Sequence, residues 1–582
     1  MPTFFAALWT APCAQGVVTA DALATLAEHA HTAGALLHAP VPAGTRISYF
    51  GQPLGIVLAS RRDVATAAAQ GLAQSLMQML TTTVSPLPSS PHAATPVLDV
   101  ASALPSLRQP TQAARFDLVR GDAAAQIDAS PVRLKQTYAT APQLPTYRTL
   151  PHVTATTYTG LPHIALSHPC EAELRASLAG WSKTPPDWID LSIESPDGEP
   201  ALLDVTAKLA WAASSQLRRT VRLEWTAEQA QALGGMRPET IQTVTIGADS
   251  DGRLQAISHR SLNSCWQDSD FVEPCGAASR HLYDIANVAI DHQIVRQHIG
   301  PAAARPQSGY DLGLFALECA MDELATLLQI DPVALRVRNE AKIDALTGQP
   351  WRRRRLLDCY RIGAERMGWS AREHVPSAGQ RPSPGGAGRV GYGMAAGLLP
   401  SVHGDASTTT AFIAHFAQVQ VPADGGDFSV TKYVVAIDAG RQPTGDSVDR
   451  QARQQRVQRG VWGALAQALG PATARPRPAP RRGADTASAS SDVYDRLTGR
   501  SRPQVSPSAA TLPPLRDVDI TVLFVGPDGT TDDTAARDAT GADRPLAHAE
   551  LEALASCGAA AALANALYNA TGIRRRRLPF EY

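Results

Sequence analysis

Residues 313–339 read GLFALECAMDELATLLQIDPVALRVRN and carry the strongest periodic pattern in the chain. Apolar residues recur there at steps of three and four, the spacing of one apolar helix face: Leu314, Leu317, Met321, Leu324 and Leu328. Asp331-Pro332 then predicts the start of a second helix, with an aspartate cap and a proline at the first helical position. The stretch therefore predicts two helices joined by a short turn.

Three carboxylates interrupt this apolar pattern: Glu318, Asp322 and Glu323. Glu318 and Asp322 lie one helical turn apart on a different face from the leucines, as in either an acid–base pair or the polar side of a scaffold helix. No other reactive group of the stretch converges on them, so we interpret them as scaffold. We expect Leu317, Met321 and Leu324 to be buried, and Glu318 and Asp322 to face solvent or a structural partner.

Length and composition indicate a globular protein of two to four domains. The chain has 582 residues, of which 44% are hydrophobic and 18% charged. Lys and Arg together number 53 against 54 Asp and Glu, so the net charge favours neither a nucleic acid nor an anionic membrane as partner. Arginine runs at 352–355 and 574–577 have no aromatic platform beside them, and we interpret them as solvated helix ends or partner-facing patches. No apolar run approaches the roughly 18 residues that a membrane helix needs.

The cysteines indicate a reducing compartment. There are seven, with no CxxC spacing: Cys13, Cys170, Cys265, Cys275, Cys319, Cys359 and Cys557. An odd and scattered set is typical of reduced thiols and not of a disulfide framework or an iron–sulfur site. The opening MPTFFAALWTAPCAQG lacks the basic region of a secretory signal. We therefore expect a cytoplasmic protein.

The order of predicted elements favours an α+β fold. Residues 46–60 (RISYFGQPLGIVLAS) predict two strands with a turn, and the helical pattern that follows completes a small αβ domain over 1–105. Two larger mixed domains follow at 106–370 and 391–582, joined by a Pro/Gly-rich linker at 371–390. The second contains a Pro-, Arg-, Ala- and Ser-rich insert at about 471–493, which we predict to be a disordered, mobile loop.

Three short motifs have a structural explanation that we favour over a binding function. Asp251-Gly252 predicts a hairpin turn between two strands, because the downstream acidic ligand of a calcium loop is absent. GAGRVG at 386–391 matches a dinucleotide-binding pattern, but a strand-like run follows it where that motif needs a helix. His152, His163 and His168 do not have the spacing of a metal-ligand pair on a helix or hairpin.

Seven segments, in order, resemble the molybdopterin-binding large subunit of the xanthine dehydrogenase/aldehyde oxidase family. They include YFGQPLGIVLAS (49–60), RRTVRLEWTAEQ (218–229), the helix pair with TGQPWRRRRLLDCYRIGAERMGW (347–369), YVVAIDAGRQP (433–443) and GAAAALANALYNATGIRRRRLP (558–579). The resemblance implies a small hammerhead-like domain followed by two molybdopterin-binding-type domains. It also implies hydroxylation of an aldehyde or N-heteroaromatic carbon with water-derived oxygen on a molybdenum–pterin cofactor. The electrons would leave through partner [2Fe–2S] and FAD subunits, with neither group in this chain.

The resemblance also nominates site residues. Arg305 and Gly309, in PAAARPQSGYDLG (301–313), match a family loop that contacts substrate and metal, with altered spacing. Gly558 matches the glycine before the last helix, which places Ala553 at the position of the family's catalytic glutamate. Glu552, one residue away, is the candidate general base, and Glu550 lies three residues away. We name Arg305, Gly309 and Gly558 as candidate cofactor-binding residues.

Several family motifs are replaced in this chain. A glycine-rich GGGFG loop corresponds to SIESPDGEPALLDV (192–205), which keeps one glycine, Gly198, between two acidic residues. The family's EPH reads LPH at 150–152, and its STQ reads SHP at 167–169. Two hypotheses follow: an oxidoreductase that holds the cofactor by unusual loops, or a cofactor-free scaffold or assembly partner of a molybdenum hydroxylase.

Overall fold

The computed structural model describes most of the chain with defined gaps. The described residues are 3–13, 15–82, 107–108, 116–143, 150–158, 160–166, 171–194, 203–302, 307–345, 347–351, 353–372, 388–400, 410–422, 427–440, 447–470, 515, 518–526, 546 and 548–580. The predicted insert at 471–493 and most of the predicted linker lie outside them, as do Arg305, His168 and Gly198.

Sheet I is a seven-stranded mixed sheet formed by two distant parts of the chain. Its strands, in spatial order, are β11 (Asp190–Ile193), β10 (His163–Leu166), β9 (His152–Thr156), β12 (Val221–Glu224), β1 (Phe4–Thr10), β5 (Pro53–Ala59) and β3 (Leu36–His38). Residues of β1 alternate between two hydrophobic cores, as a strand with two covered faces requires: Ala6 and Leu8 enter one, Ala7 and Trp9 the other. The predicted boundary at residue 105 thus falls between segments that share a sheet.

Helices cover both faces of sheet I. One face packs against α1 (Ala20–Thr32) and α2 (Arg62–Thr82), and the other against α4 (Glu171–Ser182) and α5 (Leu203–Leu217). A short pair of strands, β2 (Gly16–Val17) and β4 (Arg46–Ile47), lies beside the first layer, and α6 (Ala227–Leu233) follows β12. The predicted strand and helix within 46–82 are therefore present.

Sheet II contains the predicted hairpin. Its strands, in order, are β22 (Arg577–Leu578), β8 (Val132–Thr140), β13 (Thr240–Ala248), β14 (Leu254–Trp266), β15 (Asn287–Gln297) and β6 (Leu107–Arg108), with β7 (Leu118–Arg120) also on β15 and α3 (Ala123–Ala129) packed on one face. Between β13 and β14, Gly252 adopts φ 85° and donates its N–H to the carbonyl of Asp249 at 3.1 Å. The hairpin interpretation of Asp251-Gly252 is confirmed.

Sheet III and the remaining helices complete the second half. The strands are β18 (Arg389–Pro400), β19 (Thr410–Val421), β20 (Ser429–Asp438) and β21 (Asp519–Phe524). The helices are α7 (Tyr310–Leu328), α8 (Pro332–Arg338), α9 (Leu356–Met367), α10 (Ser447–Leu469), α11 (His548–Ser556) and α12 (Ala559–Thr571), and β16 (Ile343–Asp344) pairs with β17 (Gln349–Pro350). Because β18 starts at Arg389, a strand and not a helix follows the glycines of 386–391, as expected.

One continuous hydrophobic core joins sheets II and III through α7 and α12. Leu317, Met321 and Leu324 of α7 are fully buried, which confirms the predicted apolar face. Among the described residues, one helical stretch, Glu550–Thr571, is long and apolar enough by length and composition to cross a membrane, which the sequence pattern did not predict. However, 78% of its 18-residue window is buried inside the fold, because the stretch consists of the two core helices α11 and α12.

The carboxylates Glu318, Asp322 and Glu323 of α7 are buried and do not face solvent. Glu318 pairs with Arg336 of α8 at 2.8 Å and also accepts hydrogen bonds from Tyr283 Oη and, at 2.6 Å, from the N–H of Ala396. Asp322 pairs with Arg574 at 2.6 Å. The prediction that Glu318 and Asp322 face either solvent or a structural partner is therefore confirmed, since both bind structural partners.

The arginine runs also have internal partners. Glu323 binds Arg576 at 2.6 Å, and Arg354 binds Glu340 while Arg353 lies 3.1 Å from Asp438. The interpretation of the two runs as solvated ends or partner-facing patches was therefore wrong for these arginines. Long side chains from the two runs reach acidic groups that come from distant parts of the chain.

Candidate functional site

Three segments that match cofactor contacts of the family adjoin neighbouring strand ends on one side of sheet I. Leu166, at the end of β10, pairs with Val153 of β9 and with Ile193 at the end of β11. Residues 150–152, 167–169 and 195–199 are attached to these neighbouring strand ends. The fold thus brings the three attachment points together, although the last two segments lie outside the described residues.

His152, at this end of the strands, and His163, at the opposite end of β10, are each bound by one carboxylate. His152 Nε2 lies 2.7 Å from Glu194 Oε2, and His163 Nδ1 lies 2.8 Å from Asp190 Oδ2. In the described ranges no group of three or more His, Cys, Asp or Glu side chains is arranged to hold a metal ion. These histidines therefore act as links between strand ends of sheet I.

Two of the predicted cofactor residues, Gly309 and Gly558, each lie at the start of a helix. Gly309 precedes α7 with φ 78°, and Gly558 precedes α12 with φ 97°. A Cβ on Gly309 would lie 2.3 Å from the carbonyl oxygen of Pro274, and one on Gly558 would lie 2.7 Å from that of Ala396. Both positions therefore require glycine, for backbone conformation and for space.

Side chains beside the two helix starts affect each other's pKa. Burial raises the pKa of Tyr310, the first residue of α7, and Cys557 next to Gly558 raises it further. Burial also raises the pKa of Cys557, to which Asp311 of α7 contributes in the same direction. Side chains next to Gly309 and Gly558 therefore interact electrostatically, whereas Arg305 lies outside the described residues.

A buried guanidinium lies at this junction. Arg237 is 2% exposed and contacts both carboxylate oxygens of Asp311, with Nη1 at 2.6 Å from Oδ2. Glu273, also fully buried, accepts the N–H of Gly309 and lies 3.8 Å from Arg237 Nη2. Burial acts to lower the pKa of Arg237, but the two carboxylates raise it by more, so the guanidinium stays charged.

Two internal carboxylates therefore already bind the hydrogen-bond donors that would attract an anion here. A helix N-terminus with a nearby arginine is a ready anion site. In this chain Glu273 and Asp311 already bind the N–H of Gly309 and the guanidinium of Arg237. None of these three side chains could be predicted from the sequence, because residues 237, 273 and 311 are brought together only by the tertiary fold.

Glu552, the candidate base, faces another helix. Its carboxylate lies 3.4 Å from Arg456 and 3.8 Å from Arg459, both on α10. Ala553, which matches the position of the family's glutamate, is 4% exposed and packs in the core. This residue belongs to helix α11, and its carbonyl accepts hydrogen bonds from Ser556 Oγ and Cys557 Sγ. The fold does not bring Glu552 to the start of α12.

His415 is the imidazole closest to Gly558 among the described neighbours of that glycine. Its Cδ2 lies 3.3 Å from where a Cβ of Gly558 would lie. Nε2 is 3.0 Å from the carbonyl oxygen of Cys557 and must donate to it, so Nδ1, at 3.2 Å from Tyr433 Oη, accepts. Burial lowers the pKa of His415 to about 3, so the ring is neutral and fixed in one tautomer.

Comparison with known proteins gives partial sequence matches. The family described as molybdopterin cofactor-binding domain matches residues 203–340. The aldehyde oxidoreductase molybdenum-binding subunit PaoC of Escherichia coli K12 is 31% identical over 217 residues, 37% of this chain and 29% of that protein. The probable hypoxanthine oxidase XdhD of the same strain is 32% identical over 134 residues, 22% of this chain and 14% of that protein. The matched region is thus under a third of the length of either relative.

Comparison with solved structures covers nearly the whole fold. The aldehyde oxidoreductase of Desulfovibrio gigas aligns with a TM-score of 0.69 and 15% identity, over 99% of this chain and 76% of that one. Quinoline 2-oxidoreductase of Pseudomonas putida 86 aligns with a TM-score of 0.72 and 13% identity, over 99% and 93% of the two chains. The α+β architecture expected from the sequence is confirmed by both.

Proposed function

Because the chain belongs to the xanthine dehydrogenase/aldehyde oxidase family of molybdopterin-binding large subunits, we propose that it is a homologue with an eroded cofactor site. It acts as a cofactor-free scaffold or assembly partner of a molybdenum hydroxylase. The family's cofactor, when bound, supplies the oxygen-transfer chemistry and carries an anionic pyrophosphate. The proposal depends on whether the described residues fit that group.

The observation that carries the proposal is the bond from Gly309 N–H to Glu273. Backbone N–H groups at a helix start bind phosphate when they are unoccupied. Here the donor is already used, and a carboxylate about 5 Å from a phosphate would cost roughly 3 kcal/mol at an effective dielectric of 20. The described residues at the junction of α7 and α12 therefore do not fit the pterin pyrophosphate.

The position of the general base supports the same proposal. Ala553 has no ionisable group, and Glu552 is held by the arginines of α10. Removing a positioned base lowers turnover by typically 10²–10⁴-fold, so even a chain that retained cofactor would be a poor hydroxylase.

As a scaffold, the chain would bind subunits of a hydroxylase complex, including those that carry [2Fe–2S] and FAD. The structural neighbours are oxidoreductases of the same fold, and we infer that surfaces for docking are retained with that fold even where cofactor contacts change. The six described cysteines are buried and form no disulfide, in accord with the proposed cytoplasmic location.

The metal and pterin content of the purified native protein tests this proposal. We expect molybdenum by elemental analysis, and pterin by fluorescence after oxidation, far below one equivalent per chain. An active family member purified in parallel from the same host shows that the cofactor was available. About one molybdenum per chain would overturn the proposal.

The second candidate is an active hydroxylase of an aldehyde or N-heterocycle. It is favoured by the pairing of Leu166 with Val153 and with Ile193, which places the strand ends next to the three matched segments side by side. If it is correct, the wild type reduces an artificial electron acceptor with a simple aldehyde. If Glu552 is its base, Glu552→Gln then lowers turnover by at least about 10²-fold.

A further inference from the structure

A groove of about 710 Å³ lies in sheet I, away from the junction of α7 and α12. The core on this face is formed by α1, α2 and strands β1 and β5. In sheet I, β12 lies next to β1. Its residues Val221 and Leu223 are buried in the core on the opposite face of the sheet. Arg222 and Glu224 alternate with them and therefore point to the groove side.

The groove has one polar wall and an apolar floor. Arg62, Thr66 and Gln70 line the wall, and their spacing of four places them in one row along α2. Phe5 and Leu150 are among the apolar residues that line the rest. A ligand in this groove would contact hydrogen-bond donors on one side and hydrocarbon on the other.

The groove holds two guanidinium groups and one carboxylate shared between them. Arg62 Nη2 lies 2.6 Å from Glu224 Oε2, and Arg222 Nε lies 2.6 Å from Glu224 Oε1. The other acidic lining residue, Asp63, is paired with Arg61, which does not line the groove, with Nε at 3.0 Å from Oδ1. One positive charge of the Arg62–Glu224–Arg222 cluster is therefore uncompensated.

The arginines keep donors for a ligand. Each guanidinium has five N–H donors, and Glu224 uses one nitrogen of each. Arg222 makes one further, long contact of 3.5 Å with Thr154 Oγ1. The start of α2, at Arg62, adds the positive end of a helix dipole to the same wall.

We propose that this groove binds a small organic monoanion, a carboxylate joined to an apolar body such as an aromatic ring. The carboxylate bridges Arg62 and Arg222, and the apolar body lies against Phe5 and Leu150. Bidentate pairing with guanidinium provides the orientation, and the floor provides the apolar contact. The site needs neither metal nor pterin and is independent of the proposed scaffold function.

Benzoate and its neutral analogue benzamide provide the test on the full chain. Ligand-observed saturation-transfer NMR detects weak binding, and titration calorimetry gives the affinity. We expect benzoate to bind and benzamide, which has the same shape without the charge, to bind at least about tenfold more weakly. Equal binding of the two would overturn the assignment of an anion site.

Four variants locate the site. Arg62→Gln and Arg222→Gln should each weaken benzoate binding about tenfold, the usual effect of losing a charge-assisted hydrogen bond. Arg338→Gln, an equivalent change at an exposed arginine of α8, should leave the affinity unchanged. Glu224→Gln removes the competing carboxylate and should tighten binding, a gain that misfolding cannot produce.

Two outcomes contradict the proposal. One is the absence of benzoate binding to the wild type at millimolar concentration. The other is binding that neither arginine variant weakens and Glu224→Gln does not strengthen. Melting temperatures of all four variants, compared with that of the wild type, show whether a loss of binding reflects a loss of fold.

Discussion

Glu318 and Arg336 form an ion pair in which neither side chain is exposed to solvent, with Nε 2.8 Å from Oε2. The same carboxylate accepts the N–H of Ala396 on β18, so one side chain joins α7, α8 and sheet III. Two charges removed from water are stable only when their hydrogen-bonding capacity is satisfied. This pair is therefore a structural centre of the fold.

Arg336→Met should destabilise the protein by about 3–5 kcal/mol, because Glu318 would keep its buried charge without a cation. Chemical denaturation followed by circular dichroism measures the change. Arg338→Met, two residues further at an exposed position, is the matched control and should stay within about 0.5 kcal/mol of the wild type. Equal effects of the two substitutions would show that the ion pair is not important for stability.

Leu324→Ala should cost roughly 2–5 kcal/mol, because it removes a fully buried side chain from the core between sheets II and III. Leu327→Ala is the control on the same helix, at a side chain that is 56% exposed. We expect the control to change the free energy of unfolding by less than about 0.5 kcal/mol. A small effect at Leu324 would contradict the burial of this face.

Acid should destabilise the protein in part through His415. Its pKa is about 3 in the folded protein, because of burial, against 6.5 when unperturbed. The unfolded chain therefore binds a proton here that the folded chain does not, and stability present above pH 6.5 falls as the pH decreases toward 3. His415→Gln should make the slope of unfolding free energy against pH shallower, by up to about 1.4 kcal/mol per pH unit. Parallel profiles for variant and wild type would disprove this contribution.

Glu552→Gln should leave any oxidation of aldehydes or purines unchanged, most simply at zero, because this carboxylate is bound to α10. Its ion pairs are partly exposed, so we expect the free energy of unfolding to change by less than about 1 kcal/mol. Arg456→Gln should have a similarly small effect. Turnover with an artificial acceptor and thermal denaturation are the two measurements, and a hundredfold loss of turnover would identify Glu552 as a base.

The sequence predicted those parts of the fold that local patterns determine. The apolar face of α7, the Asp331 cap of α8 and the Asp251-Gly252 hairpin are present as expected. Helical periodicity and turn chemistry are properties of a few consecutive residues, so they can be recognised without knowledge of the tertiary fold.

Long-range pairing could not be predicted in the same way. Asp322 and Glu323 of α7 can be recognised in the sequence as polar interruptions of an apolar pattern. Their partners Arg574 and Arg576, however, follow 252 and 253 residues later. Similarly, nothing in residues 1–60 indicates that β1 would pair with β12, more than 200 residues away. The glycines nominated by family resemblance lie at two helix starts, whereas Glu273, which binds the N–H of Gly309, and Asp311, which binds Arg237, are identified only by the structure.

The pairs Asp322–Arg574 and Glu323–Arg576 also determine when this protein can finish folding during synthesis. When α7 leaves the ribosome, the guanidinium groups that neutralise two of its buried acidic side chains are not yet translated. The helix must therefore remain hydrated, or shielded by a chaperone, until residues 574–576 emerge and β22 can join sheet II. Burial of the central helix is thus a late event in synthesis, and a ribosome stalled before residue 574 would hold a nascent chain with an unfinished core.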